Sequence, residues 1–95
     1  MIRYYAKNLQ SRGINANTII PGVVNTDAWN GYLKAYGPKF GVKTREELLA
    51  FMCKKNGQKR VLEPREIGKV ATFLCNGGKC ITGMSINADG GIHLG

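Results

Sequence analysis

The chain has 95 residues, 43% of them apolar, and carries 14 lysines and arginines against 6 acids, for a net charge of +8. This length suits one small domain with a thin core, burying about 60–65% of its unfolded surface, and the apolar share is too high for a disordered tail. No run of about 18 apolar residues exists, so no membrane span is expected, and MIRYYAKNLQ lacks the apolar core and cleavage site of a secretory leader, leaving the cytoplasm as the default location.

In chain order, Ile2, Tyr5, Ala6 and Leu9 recur at helical spacing and predict a first helix with one apolar stripe. Gly13 stands where a left-handed cap would close it, and no capping residue precedes the stripe, as if the natural element began earlier. Residues 15–20 predict a strand, with Ile14, Ala16, Thr18 and Ile20 on one face and Asn17 and Ile19 on the other, a mixture that fits a strand covered on both sides. Pro21 lacks an amide donor and is expected to end the ladder, while Gly22 turns the backbone and permits close approach. Residues 27–40 read as irregular, with room for a short amphipathic helix through Trp29, Tyr32, Leu33 and Tyr36.

Thr44 and Glu47 form a capping box that opens a helix with Leu48, Phe51 and Met52 on its apolar side. Lys54 and Lys55 suit the negative end of its dipole, and Gly57 is expected to close it. Glu63-Pro64 opens another helix, with Ile67, Val70, Ala71 and Leu74 as its stripe and Asn76-Gly77-Gly78 as its stop. A last strand is expected at 84–88, turning at Asp89-Gly90-Gly91. Two strands joined by a helical crossover make one parallel βαβ unit, right-handed by the general rule.

The basic residues are scattered rather than interleaved with aromatics, so nucleic-acid binding is not favoured. Cys53, Cys75 and Cys80 are odd in number and stand near no histidine cluster, so thiols in a reducing compartment are expected, with no metal site. A Cys75–Cys80 disulfide is compatible with the spacing, which does not establish its geometry. The chemistry is expected instead at residues 21–26, just beyond a strand tip, because loops leaving the carboxyl ends of strands line the ligand crevice of open α/β sheets.

These stretches resemble, in order, the C-terminal part of the short-chain dehydrogenase/reductase family. Arg12-Gly13-Ile14 with Asn17 resembles its helix end and sixth strand, and Pro21-Gly22-Val23-Val24-Asn25-Thr26 its PG…T turn. Glu63-Pro64 with Glu66-Ile67 resembles the start of its last large helix, and Ile81-Thr82-Gly83 with 87–91 its ITG…DGG ending. The resemblance implies an α/β fold, the C-terminal portion of a Rossmann-like doubly wound parallel sheet in the order helix, strand, lid helices, helix, strand. Residues 1–95 would form that part of the domain, with the PG turn at 21–26, a substrate lid at 27–62 and the last helix and strand at 63–91. It implies NAD or NADP as cofactor and an alcohol or carbonyl as substrate. Pro21, Gly22, Val24 and Thr26 would bind the cofactor: the Val24 backbone would meet the nicotinamide carboxamide, and Thr26 the carboxamide or the adjoining phosphate. Thr26 also suits a helix cap, and Trp29, Tyr32 and Tyr36 suit either a substrate lid or plain packing of that lid.

The family's catalytic tyrosine is followed four residues later by a lysine. Here Tyr4, Tyr5, Tyr32 and Tyr36 are followed by Asn8, Leu9, Tyr36 and Phe40, so no catalytic residue is assigned. No G-x-G-x-x-G phosphate turn occurs either. The run from Cys75 to Cys80 departs from the longer, acid-containing turn usual in the family. The expectation is therefore a fragment of an oxidoreductase that is inactive alone. The alternative is a non-catalytic module that docks on full-length relatives through its last helix and strand.

Overall fold

A computed structural model describes residues 1–54 and 57–94; Lys55 and Asn56, and with them the expected helix-end role of Lys55, lie outside the described residues. Backbone contacts divide the chain into two units, Met1–Pro21 with Arg65–Ala88, and Gly22–Pro64 with Asp89–Gly95.

The first unit contains the sheet. Helix α1 spans Ile2–Leu9 without a side-chain cap at Met1. Its stripe is narrower than the spacing predicts: Ala6 is buried and Ile2 and Leu9 half-buried, but Tyr5 is exposed. A 3-10 turn at Gln10–Arg12 follows, and it is this turn that Gly13 closes, at a left-handed φ of 70°. Strand β1, Thr18–Pro21, pairs in parallel with β2, Ser85–Ala88, placing Thr18 opposite Ser85 and Pro21 opposite Ala88.

The first strand thus starts later than the expected 15–20, and Pro21 lies inside it. Asn15 and Asn17 use their side chains instead of a ladder, donating to the carbonyls of Lys79 and Ile81, while the Asn17 amide oxygen accepts from the Met84 N–H. The Thr82 hydroxyl accepts from the Ala16 N–H, and the Gly83 N–H donates to the Ala16 carbonyl, so the ITG motif ties this connection to the segment before β2. Thr18 donates to Met84 across the ladder. Alternate residues of a parallel strand face opposite edges, so the missing amide of Pro21 falls on the unpaired side.

Helix α4, Pro64–Asn76, has no buried residue; Ile67, Val70, Ala71 and Leu74 are only half-buried. It stops as expected, with the Gly77 and Gly78 N–H groups both donating to the Phe73 carbonyl. A cavity of about 720 Å³ opens beside Asn15, Asn17, Ile19, Ala71 and Leu74.

The second unit holds the core. Helix α2 spans Ala28–Phe40, thirteen residues where an irregular segment with room for a short amphipathic helix was expected. Pro38 sits in the last turn, where its missing donor costs one hydrogen bond at most, and Gly41 closes the helix at φ 71°. Helix α3 spans Arg45–Met52, and the Thr44 hydroxyl accepts from the Glu47 N–H at 3.2 Å. The Glu47 carboxylate accepts from the Lys43 N–H rather than from Thr44, so the reciprocal half of the box is displaced by one residue. The helix ends at Cys53, not at Gly57, which lies against the Gly90–Gly91 backbone. Val23, Leu49 and Cys53 form the core, with Trp29, Met52 and Val61 packed on it; Leu48 is fully buried. Burial pushes the Cys53 thiol up, away from the reactive thiolate. Cys75 and Cys80 are free thiols on the surface of the first unit.

Candidate functional site

Pro21 is the last residue of β1 in the first unit, and the remaining residues expected to bind a cofactor, Gly22, Val24 and Thr26, follow it in the second unit. Gly22 is required by its neighbour Asp89: a Cβ at Gly22 would stand 2.8 Å from both the Cα and the carbonyl oxygen of Asp89. The close approach that glycine allows here is made by backbone of the same unit.

Val24 forms a single parallel bridge with Leu62. The Leu62 N–H donates to the Val23 carbonyl, and the Leu62 carbonyl accepts from the Asn25 N–H, both at 2.8 Å. Those bonds belong to the residues on either side of Val24, so its own N–H and C=O point away from Leu62. The carbonyl accepts from the indole Nε1 of Trp29 at 2.7 Å. The N–H has no partner among the described residues.

Around Val24 the turn is held by charge. Arg45, from the first turn of α3, donates to the Asn25 side-chain oxygen and, at 3.0 Å, to the Thr26 carbonyl. The Asn25 amide nitrogen reaches both carboxylate oxygens of Glu63 at 3.5 Å. Thr26 does not cap α2 with its side chain. Its carbonyl accepts from the Trp29 N–H, Asp27 is the cap residue, and the Thr26 hydroxyl is exposed with no partner among the described residues. The turn therefore presents the Val24 N–H and the Thr26 hydroxyl without a partner among the described residues, while the Val23, Val24 and Thr26 carbonyls and the Asn25 N–H and side chain are engaged in fixing it.

Trp29, Tyr32 and Tyr36 share one face of α2 and stack in series. Trp29 meets Tyr32 edge-on with centroids 5.3 Å apart, Tyr32 lies 4.7 Å from Tyr36, and the row continues through Phe40 to Phe51 on α3. Trp29 packs on the core, as the packing expectation has it, whereas Tyr36 is 44% exposed. Sequence reasoning missed Arg45, the Trp29–Val24 bond and the pairing of His93 with Asp89. The carboxylate of Asp89 is buried and accepts from the Gly91 N–H at 2.9 Å, and His93 Nδ1 lies 2.9 and 3.0 Å from its two oxygens. An Arg at the first helical position and a Trp three residues after Thr26 were visible signals, but their partners are set by folding, not by spacing.

A sequence profile described as enoyl-(acyl carrier protein) reductase matches residues 1–93. A tropinone reductase homolog of Arabidopsis thaliana is 35% identical over 94 residues, covering 94% of this chain and 27% of that protein. The crystal structure of a short-chain dehydrogenase family protein from Francisella tularensis is similar over all of this chain and 39% of its own, with a TM-score of 0.89 and 29% identity. An NADPH-dependent reductase involved in bacilysin biosynthesis is similar at a TM-score of 0.78 and 28% identity, over 96% of this chain and 34% of its own. The chain thus spans roughly a third of the length of these relatives, and its two parallel strands with flanking helices are a portion of a Rossmann-like α/β fold. It belongs to the short-chain dehydrogenase/reductase family.

Proposed function

We propose that this member of the short-chain dehydrogenase/reductase family supplies the nicotinamide end of an NAD- or NADP-dependent oxidoreductase acting on an alcohol or carbonyl substrate. The observation that carries this reading is the pair of donors without a partner among the described residues, the Val24 N–H and the Thr26 hydroxyl, on a turn fixed by Leu62, Trp29 and Arg45. A bound nicotinamide would supply hydride transfer. The part of this chain would be to hold the ring's carboxamide at Val24, to place the Thr26 hydroxyl on the carboxamide or the adjoining phosphate, and to exclude water with Trp29, Tyr32 and Tyr36. Preorganised donors serve such a site because they need no rearrangement when the ligand arrives. In this reading residues 1–95 are the C-terminal part of the nucleotide-binding domain, 27–62 its substrate lid and the cytoplasm its setting.

By itself the chain would not turn over. None of its tyrosines has a lysine four residues on, and it has no glycine-rich phosphate turn, so it offers neither the proton donor nor the cofactor grip that hydride transfer needs. An assay of the 95-residue chain with NADH and NADPH, across a panel of aldehydes, ketones and alcohols, should give no rate above buffer. Saturable turnover of any of them would overturn the inactivity claim.

A second reading is favoured by the first unit, where Phe73 is 55%, Met84 53% and Ile20 42% exposed, and α4 buries no residue. This is the surface of a module that docks on a full-length relative through α4 and β2. Size-exclusion chromatography of the chain with such a relative should show a joint peak; two independent peaks, with the chain a stable monomer, would remove this reading.

A further inference from the structure

We propose that the groove between α1 and the start of β2 is a binding site for a phosphate group, carried by a small organic molecule or free. The groove has a volume of about 720 Å³, within the range of small-molecule sites, roughly 300–1,000 Å³. It reaches Ser85 at the amino end of the parallel pair, whereas the turn proposed to meet a nicotinamide follows Pro21 at the carboxyl end. The two places are separate, and neither reading depends on the other.

One face of α1 builds a wall. Arg3, Ala6, Lys7 and Gln10 stand at i, i+3, i+4 and i+7, and all four line the groove. Ala6 is buried, and a Cβ at Gly83 would stand 3.4 Å from the Ala6 methyl, so the helix lies directly on the segment before β2. That contact forms the floor, with Thr82 and Ser85 on the strand side.

The polar groups along the groove can all donate, and none has an acceptor among the described residues. Arg3 and Lys7 make no ion pair there, and like charges four residues apart on a helix repel. Helix α1 carries no acid, and the one acid of the first unit, Glu66, lies on α4 and does not line the groove. The Gln10 side chain and the Ser85 hydroxyl have no partner either, and the Thr82 hydroxyl, which accepts from the Ala16 N–H at 3.1 Å, still has its own hydrogen to give. A phosphate dianion balances two cations and has oxygens left for hydroxyl and amide donors; a carboxylate balances one. Two cations suit a single phosphate group and not a nucleic-acid backbone, which takes a row of them.

The test titrates the ¹⁵N-labelled full chain with phenyl phosphate, inorganic phosphate and benzoate. Phenyl phosphate should move the Gly83 and Ser85 backbone amides and the Gln10 side-chain amide, saturating in the millimolar range. Benzoate, with a single charge, should bind about fivefold more weakly. Arg3→Gln and Lys7→Gln should each cost about tenfold in affinity for phenyl phosphate, the value of one hydrogen bond between charged groups. Both side chains are exposed, so neither change disturbs the core. Lys34→Gln combined with Lys39→Gln removes two exposed charges from the second unit and should change the affinity by less than about twofold. Tighter binding of phenyl phosphate than of inorganic phosphate identifies an organic phosphate as the ligand, and equal binding identifies free phosphate; the site stands in both cases. It is overturned if benzoate binds as well as phenyl phosphate, if the Lys34→Gln, Lys39→Gln variant loses as much affinity as Arg3→Gln or Lys7→Gln, or if the three amides stay in place at millimolar phenyl phosphate.

Discussion

The two units of this chain divide the work of a domain unevenly. The first has the parallel sheet and the longer hydrogen-bonded connections, yet among the described residues Ala6 is its only buried apolar side chain. Among the described residues the second has no ladder beyond one bridge, but it holds Val23, Leu48, Leu49, Cys53 and Leu62, the rest of their buried apolar set. Backbone pairing satisfies polar groups without supplying much net stability, whereas burial of apolar surface is the main favourable contribution. Of the candidate site residues, Gly22, Val24 and Thr26 belong to the unit with the core.

The sharpest test of this contrast removes the same side chain from each unit. Leu48→Ala empties a fully buried position and should cost about 3 kcal/mol of stability, while Leu74→Ala, half-buried on α4, should cost about 1 kcal/mol. Urea denaturation of the two variants measures both, and equal costs would erase the difference between the units.

A second pair works through added atoms. Gly22→Ala drives a methyl to within 2.8 Å of Asp89 backbone and should destabilise by about 2 kcal/mol. Gly68→Ala, on α4 with nothing within 4 Å of the added carbon, should stabilise by about 1 kcal/mol, the helix preference of alanine over glycine. Thermal denaturation reads the opposite signs directly. A neutral Gly22→Ala would mean that the Asp89 turn gives way and does not fix Gly22.

The regular elements were legible where one physical signal acted alone. The stripe of α4, its Pro64 start and its double-glycine stop all came from spacing and composition, as did the Thr44 cap of α3. Where two signals conflicted, the reading failed. In α2 the aromatics at 29, 32, 36 and 40 keep helical spacing, but Gly31, Gly37 and Pro38 obscured it; the proline falls late enough in the helix to be tolerated. At 15–17 the alternation looked like strand, yet asparagine side chains took the bonds that a ladder would have made. The turn itself was readable as a strand tip, and the chemistry expected of it came from the family resemblance. Which of its polar groups are bonded was not readable, because that depends on Arg45 and Leu62, partners brought in by folding from 19 residues away and farther.

The smallest expected effect concerns Asp89, the only buried charged side chain among the described residues. Burial by itself raises its carboxyl, but the hydrogen bond from His93, the Gly91 N–H and the charge of His93 outweigh it and hold the group below its ordinary value of 3.8. The unfolded chain therefore takes up this proton at a higher pH than the folded one does. The stability that the carboxylate contributes is complete above 3.8 and drains away as pH falls through the lowered folded value. Acid should accordingly loosen the Asp89–His93 turn, and the Gly22 backbone beneath it, through this one group. Denaturation midpoints measured from neutral pH downward should fall more steeply for the wild type than for Asp89→Asn, which has no proton to gain at that position. Parallel curves would mean that the His93 contact is not maintained in solution and that Gly22 is positioned by the core alone.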